Sequence, residues 1–441
     1  MQKKYYGEQT EKAIKNFPFQ VYRVHNEFIM ALTMIKKAAS LANFEAGNFG
    51  RSIKDAIVKA CDEILTGKMK DQFPLRALQG GAGTSINMNV NEVVAGRATE
   101  ILERSGRKIV VHPNDHVNCS QSTNDANPSA IKIAAIYLAC DLQKTTQLLS
   151  EALEKKAVQF KHIPKLARTH LQDAVPTTLG AEFGSYAAII RWHQEKINRV
   201  ITYMQELNLG GTAIGNSINA SPKYIKAVYR QLNKITGHKF HPAKNLMSQT
   251  SSQTDFLAIS QAVTALCVDL SKIASDLRLL SSGPLGGIGE ITLAELQNGS
   301  SIMPGKVNPV LPETVNQLYF LISGNNLTIE HAAAAAQLEL GVMFPIIADR
   351  LLQSLKLTSE VVEQFVKSCI NKIKANPKRC KELLEKSTAY ATLLTPILGY
   401  DAVSSAVKEA VESGKTLREI IVGKKLLSDK EFNKAVNSFK L

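Results

Sequence analysis

The sequence predicts a mainly α-helical protein, and three observations carry that expectation. First, the stretches 130–160, 179–207, 255–280, 313–340 and 346–373 are long and place apolar residues at helical spacing. Second, in the third of these, Ile259, Ala262, Val263, Leu266, Leu270, Ile273, Leu277 and Leu280 recur at steps of three or four. Third, Phe256, Leu257, Val268 and Leu279 fall off that stripe, and a helix apolar on more than one side has neighbours on more than one side. Five helices of about 25 to 30 residues would each run about 40 Å, which describes a long five-helix bundle.

In chain order, residues 1–125 are expected to form an N-terminal domain, with helical stretches at Asn26 to Ala42 and Gly50 to Leu65 separated by Gly- and Asn-rich loops. Residues 126–375 carry the five long helices as a central domain. Residues 376–441 are shorter-segmented and lysine-rich, broken at Ser413-Gly414, and read as a small C-terminal helical domain.

Composition narrows the function classes. The chain has 441 residues, 44% hydrophobic and 21% charged, and no uninterrupted apolar run approaches the roughly 18 to 20 residues of a membrane span. The N-terminus, Met1 to Lys4, is polar and lacks a following apolar signal core, so a cytoplasmic location is expected. Six cysteines show no paired CxxC spacing, which favours free thiols over disulfides or zinc, and no metal is implied. Lys and Arg total 53 against 39 Asp and Glu, a formal net charge of +14. The cations are spread along the chain with no dense basic run, so a nucleic-acid role is not expected; a general positive field would favour approach of small dianions.

Four polar stretches are explained by neither helix nor core. In Gly299-Ser300-Ser301-Ile302-Met303-Pro304-Gly305-Lys306-Val307-Asn308-Pro309, two hydroxyls, a cation and a carboxamide share a loop bounded by glycines and prolines. Such a loop can be an ordinary turn or an anion site, with Lys306 and Asn308 suited to a carboxylate. Gly80 to Glu92 is a glycine loop entering an asparagine-rich helix, with spacing that fits neither a dinucleotide fingerprint nor a P-loop. His112 to Asp125 ends in Ser122, Thr123 and Asn124, three neutral donors just before a long helix; capping accounts for one of them. Arg168 to Pro176 holds Thr169 and His170 in a polar loop, and the imidazole suits proton transfer. Asp115, Asp125 and Asp173 read more readily as helix caps than as acids.

Together, in this order and spacing, the four stretches resemble the aspartase/fumarase superfamily over essentially the whole chain. Within it, Tyr5-Tyr6-Gly7 with Thr10 and Ala13, Gly81-Ala82-Gly83-Thr84-Ser85, Ser122-Thr123-Asn124-Asp125 and Val310-Leu311-Pro312-Glu313 are similar to the aspartase branch. Thr169 to Pro176 is common to aspartases and fumarases. Lys12 stands where aspartases commonly have an arginine, and the two cations are not interchangeable at a bidentate site, which bears on substrate affinity.

The resemblance implies elimination of ammonia from L-aspartate to give fumarate, without a cofactor, through an aci-carboxylate whose charge must be stabilised. Residue chemistry alone favours His170 as the base. The resemblance instead assigns Ser300 that role, with Ser301, Lys306 and Asn308 on the carboxylate whose charge grows, and Met303 of the same loop also binding substrate. It places Thr84, Ser122, Thr123, Asn124, Thr169 and His170 around the amino group and the other carboxylate, and makes Glu313 the partner that orients the histidine. It further implies a homotetramer with a twenty-helix core and active sites shared by three subunits. The alternatives are a class II fumarase, in which water leaves, and a non-catalytic structural relative of the kind recruited as lens proteins.

Overall fold

The computed structural model describes residues 3–437. Among them are sixteen α-helices and three two-stranded sheets, so the protein is mainly helical, as its apolar periodicity requires. By internal packing the chain divides into two compact units. One comprises Met1–Gln143, Glu195–Ala265 and Phe320–Ser359; the other comprises Lys144–Gln194, Leu266–Tyr319 and Glu360–Leu441. The boundaries fall inside all five long helices.

In the first unit, helix α1 (Glu8–Asn16) begins on a side chain from elsewhere in the chain. Glu92, itself buried, accepts from the backbone N–H groups of Gly7, Gln9 and Thr10 and from the Thr10 hydroxyl, placing a carboxylate at the positive helix end. Helix α2 (Asn26–Ala46) runs four residues beyond the expected Ala42 and stops where Gly47 turns left-handed, its N–H closing on Asn43 and Phe44. Helices α3 (Arg51–Leu65) and α4 (Thr84–Arg104) follow.

Helix α5 (Thr123–Gln159) starts seven residues before the expected Ala130, with Pro128 inside it. Proline has no N–H for the carbonyl four residues back. That carbonyl, of Asn124, accepts instead from the Asn208 side-chain amide at 3.0 Å, so the helix passes the proline without an orphaned acceptor.

The second unit contains a hairpin absent from the sequence expectation, in which strand β1 (Pro164–Thr169) pairs antiparallel with β2 (Gln172–Thr178). His170 and Leu171 form its two-residue tip, both left-handed, with φ of 56° and 61°. Asp173 therefore lies in a strand and caps no helix.

Helices α6 (Leu179–Met204), α7 (Pro222–Thr236), α8 (Leu246–Ser251), α9 (Thr254–Leu280), α10 (Val310–Ala334) and α11 (Phe344–Ser368) complete the long-helix body. The strand pairs β3 (Glu206–Leu207) with β4 (His241–Pro242) and β5 (Ile291–Thr292) with β6 (Lys374–Ala375) fasten its joints. On α9, Ile259, Val263, Leu266, Leu270, Ile273, Leu277 and Leu280 are buried, while off the stripe Phe256 is buried and Val268 and Leu279 are exposed. By length and composition α9 could cross a membrane, and it is the only such helix among the described residues. Its buried stripe serves a protein core, and its Asp269 meets buried His193 at 2.7 Å.

Helices α12 (Pro377–Lys386), α13 (Ala391–Leu398), α14 (Tyr400–Ser413), α15 (Leu417–Gly423) and α16 (Asp429–Asn437) end the chain. Leu394, Val403, Ala406, Leu417, Ile421 and Phe432 share one apolar cluster there.

Candidate active site

The loop 299–309 is held closed at its neck. Gly299 N–H donates to the Lys306 carbonyl at 3.1 Å, and the Asn308 amide donates to the Gly299 carbonyl at 2.7 Å. A Cβ at position 299 would stand 2.1 Å from the Lys306 carbonyl oxygen, so only glycine permits this closure. Asn308 is thereby used partly as a structural clasp.

Beyond the neck, Ser301 to Val307 are exposed, with Ile302 at 83%. Ser300 differs from its neighbours. Its Oγ accepts from the backbone N–H groups of Ile302 and Met303 at 3.2 and 3.1 Å. Two N–H dipoles aimed at one hydroxyl oxygen stabilise negative charge on it, as in an oxyanion site.

Lys306 and Glu313 pair with no opposite charge among the described residues, although both line one cleft of about 660 Å3 together with Arg278, Ser281, Ser282 and Asn308. Glu313 sits in the first turn of α10, its N–H bonded to the Pro309 carbonyl. One wall of the cleft comes from the Gly283 to Gly289 segment. Its far end is pinned, because Arg379 donates to the carbonyls of Gly287 and Ile288 and Asn376 donates to that of Gly289.

The hairpin places Thr169 and His170 at an exposed tip. Two consecutive non-glycine residues with positive φ cost about 1 to 3 kcal/mol each, and such strain collects at functional sites. The base of the hairpin is firmly held. Buried Glu290 takes Lys165 and Arg168, each at 3.0 Å, and Lys165 also reaches Glu182 at 2.7 Å. Within the described chain, His170 and Glu313 make no hydrogen bond to each other.

In the first unit, Gly81, Ala82 and Gly83 are all left-handed, and the Asn127 amide clasps the carbonyls of Ala82 and Gly83 at 2.9 and 3.0 Å. This turn delivers Thr84 to the surface, its hydroxyl bonded to the Gly81 carbonyl. Ser122, Thr123 and Asn124 stand at the start of α5, half-buried. Ser122 Oγ accepts from Asn124 N–H, while the Asn124 amide donates to the Ala213 carbonyl at 2.8 Å.

Asp125 is wholly buried and accepts from the backbone N–H groups of Ser122, Gly210 and Thr212, so it is a cap that also clamps two loops. Burial pushes its carboxyl up to about 6 against those three donors. Asp115 instead faces His112, whose Nδ1 accepts the Asp115 N–H at 3.1 Å.

The expected site residues thus fall into two groups. Thr84, Ser122, Thr123 and Asn124 belong to the first unit; Thr169, His170, Ser300, Ser301, Met303, Lys306, Asn308 and Glu313 belong to the second. Sequence reasoning missed the residues that hold these groups in place, chiefly Asn118, Asn127, Glu290 and Lys36. A lysine inside a helical apolar pattern reads as a solvated position, and only its burial sets Lys36 apart.

In the second unit, Ser300, polarised by two N–H groups, and Lys306, with no opposite charge beside it among the described residues, share one loop suited to a carboxylate. A family model described as "Lyase" matches residues 1–324, and one described as "Fumarase C C-terminus" matches residues 391–441. An aspartate ammonia-lyase of Bacillus sp is 44% identical over 438 residues, covering 99% of this chain and 94% of that protein. The aspartate ammonia-lyase of Bacillus subtilis (strain 168) is 42% identical, with 99% and 92% covered.

Among solved structures, the fumarate lyase:delta crystallin from Brucella melitensis bound to cobalt superposes with a TM-score of 0.95 at 41% identity, over 99% of this chain and 95% of that one. The recombinant class II fumarase from Schistosoma mansoni gives a TM-score of 0.95 at 34% identity, with the same coverage. The chain belongs to the aspartase/fumarase superfamily of lyases.

Proposed function

We propose that this protein is an aspartate ammonia-lyase, a carbon–nitrogen lyase that converts L-aspartate reversibly to fumarate and ammonia. The observation that carries the chemistry is the Ser300 turn. A serine hydroxyl is far too weakly acidic to serve as a base unless its alkoxide is stabilised, and the N–H groups of Ile302 and Met303 are aimed at Oγ.

In this reading Ser300 takes a proton from C3 of aspartate, and the electrons move into the adjacent carboxylate. Ser301, Lys306 and Asn308 hold the resulting aci-carboxylate. As its charge returns to form the C2–C3 double bond, the C–N bond breaks and the ammonium group leaves as ammonia. Thr84, Ser122, Thr123, Asn124, Thr169 and His170 bind the amino group and the other carboxylate, with Glu313 orienting His170. The steps use only groups of the protein, and no cofactor is assigned.

The resemblance to the aspartase branch favours a homotetramer in which three subunits build each site, and among the described residues His170 and Glu313 make no hydrogen bond to each other. Exposed Val268 and Leu279 on α9, Leu327 on α10 and Val158 on α5 support such assembly, because long helices leave large apolar side chains uncovered. In this reading segments 1–125, 126–375 and 376–441 act as the three domains of a soluble cytoplasmic enzyme.

Likeness to the class II fumarase favours a second reading, in which water leaves. Purified protein offered L-aspartate or L-malate, with fumarate followed by its absorbance, separates the two. Aspartate is expected to be turned over and malate poorly if at all; faster turnover of malate would reassign the enzyme.

A further inference from the structure

Lys36 lies on α2 and, among the described residues, is the one lysine with no exposed surface. Its ammonium reaches no carboxylate. Nζ donates to Asn118 Oδ1 at 2.9 Å and Gln121 Oε1 at 3.0 Å, both neutral amides. The next most buried lysines are built differently: Lys132 meets Asp255 at 2.6 Å, and Lys165 meets Glu182 and Glu290. Asp125 acts on Lys36 only through space, its oxygens being occupied by three backbone N–H groups. An ammonium buried without a contacting anion is costly, and a methionine of similar size would fill the same space without that cost.

The acceptors show which segment Nζ anchors. Asn118 and Gln121 line a cleft of about 480 Å3 together with Ser122 and Thr212. Asn118 Oδ1 also accepts from Asn87 and Asn91 at 3.1 and 3.2 Å, and its own amide donates to the Gln121 carbonyl. Lys36 therefore stands directly behind the segment that ends in Ser122-Thr123-Asn124.

We propose that Lys36 is a positioning residue for substrate: its buried Nζ, donating to Asn118 and Gln121, fixes the Asn118–Asn124 segment whose neutral donors then meet a substrate carboxylate. This rests on the reading of Ser122 to Asn124 as substrate-binding. Burial lowers the ammonium to about 7, as an uncompensated cation requires, with Asp125 opposing the shift.

The test uses the full-length protein and two neutral replacements, Lys36→Met and Lys36→Gln, the second keeping a donor for the amides. Aspartate turnover is measured alongside calorimetric binding of succinate, a dicarboxylate that cannot eliminate. The KM for aspartate and the Kd for succinate are expected to rise about tenfold or more, with kcat within about threefold and the thermal midpoint unchanged or higher.

Wild-type succinate affinity in either folded variant overturns the proposal. So does failure of both variants to fold, which would make the lysine purely structural. A wild-type protein that binds succinate but leaves aspartate unconverted would sink the ammonia-lyase reading alone, because the succinate comparison still reports on Lys36.

Discussion

Ser300 and Ser301 are identical in the sequence and unequal in the structure. Only the first receives two backbone N–H groups, because its side chain closes the turn over Ile302 and Met303. If its alkoxide is the base, Ser300→Ala loses the proton acceptor while the rest of the carboxylate site stays. Turnover is expected to fall below about one per cent of wild type with the KM for aspartate within a few-fold, as general-base loss acts on the transition state. Lys306→Ala should instead damage both, since that lysine also holds the ground-state carboxylate. If His170 is the base the order reverses, and Ser300→Ala retains more than one per cent of wild-type turnover. Steady-state rates of the three variants decide it. The sequence already singled out Ser300 and Lys306 through an eleven-residue string. The N–H groups that make the serine usable depend on backbone geometry and could not be read from residue types.

Elements were legible where periodicity persists and hidden where side chains replace backbone bonds. The long helices follow from apolar spacing, but α5 begins before Pro128 because Asn208, distant in sequence, satisfies the carbonyl that the proline leaves free. Asn208 is 3% exposed and also donates to Thr250 Oγ1 at 2.9 Å. Asn208→Ala is expected to destabilise the protein by about 2 kcal/mol, the cost of leaving buried groups unpaired. In a Pro128→Ala background the loss should shrink, because residue 128 then has an N–H for Asn124. Thermal unfolding of the two single variants and the double variant measures that coupling; strict additivity would show that Asn208 does not substitute for the missing helix bond. The β1–β2 hairpin escaped the sequence reading for another reason. Its tip is His170-Leu171 rather than the Asn-Gly or Asp-Gly that signals such turns, so an element was concealed by the residues that make it a candidate site.

For the whole molecule the chief question is which chains supply the residues of one site. The large apolar side chains left uncovered on α9 and α10 were foreshadowed by residues off the main stripe, and Val268 and Leu279 are indeed exposed. Helix periodicity can reveal a second apolar face, but it cannot say which copy covers it. Shared sites make a prediction that independent subunits do not. Mixing subunits inactivated by Ser300→Ala with subunits inactivated by His170→Ala, under conditions that allow exchange, should regenerate active sites if the two residues come from different chains. With random exchange, a site that draws Ser300 from one chain and His170 from another is intact in about a quarter of cases, so recovery should approach that fraction of wild-type turnover, on the order of 25%, and scale with the extent of exchange. Each parent alone should remain near its own background. Sedimentation before and after mixing establishes that tetramers are present and have exchanged. Exchanged tetramers without recovered turnover would place both residues in one chain and end the shared-site reading, while an active monomer would end the tetramer reading as well.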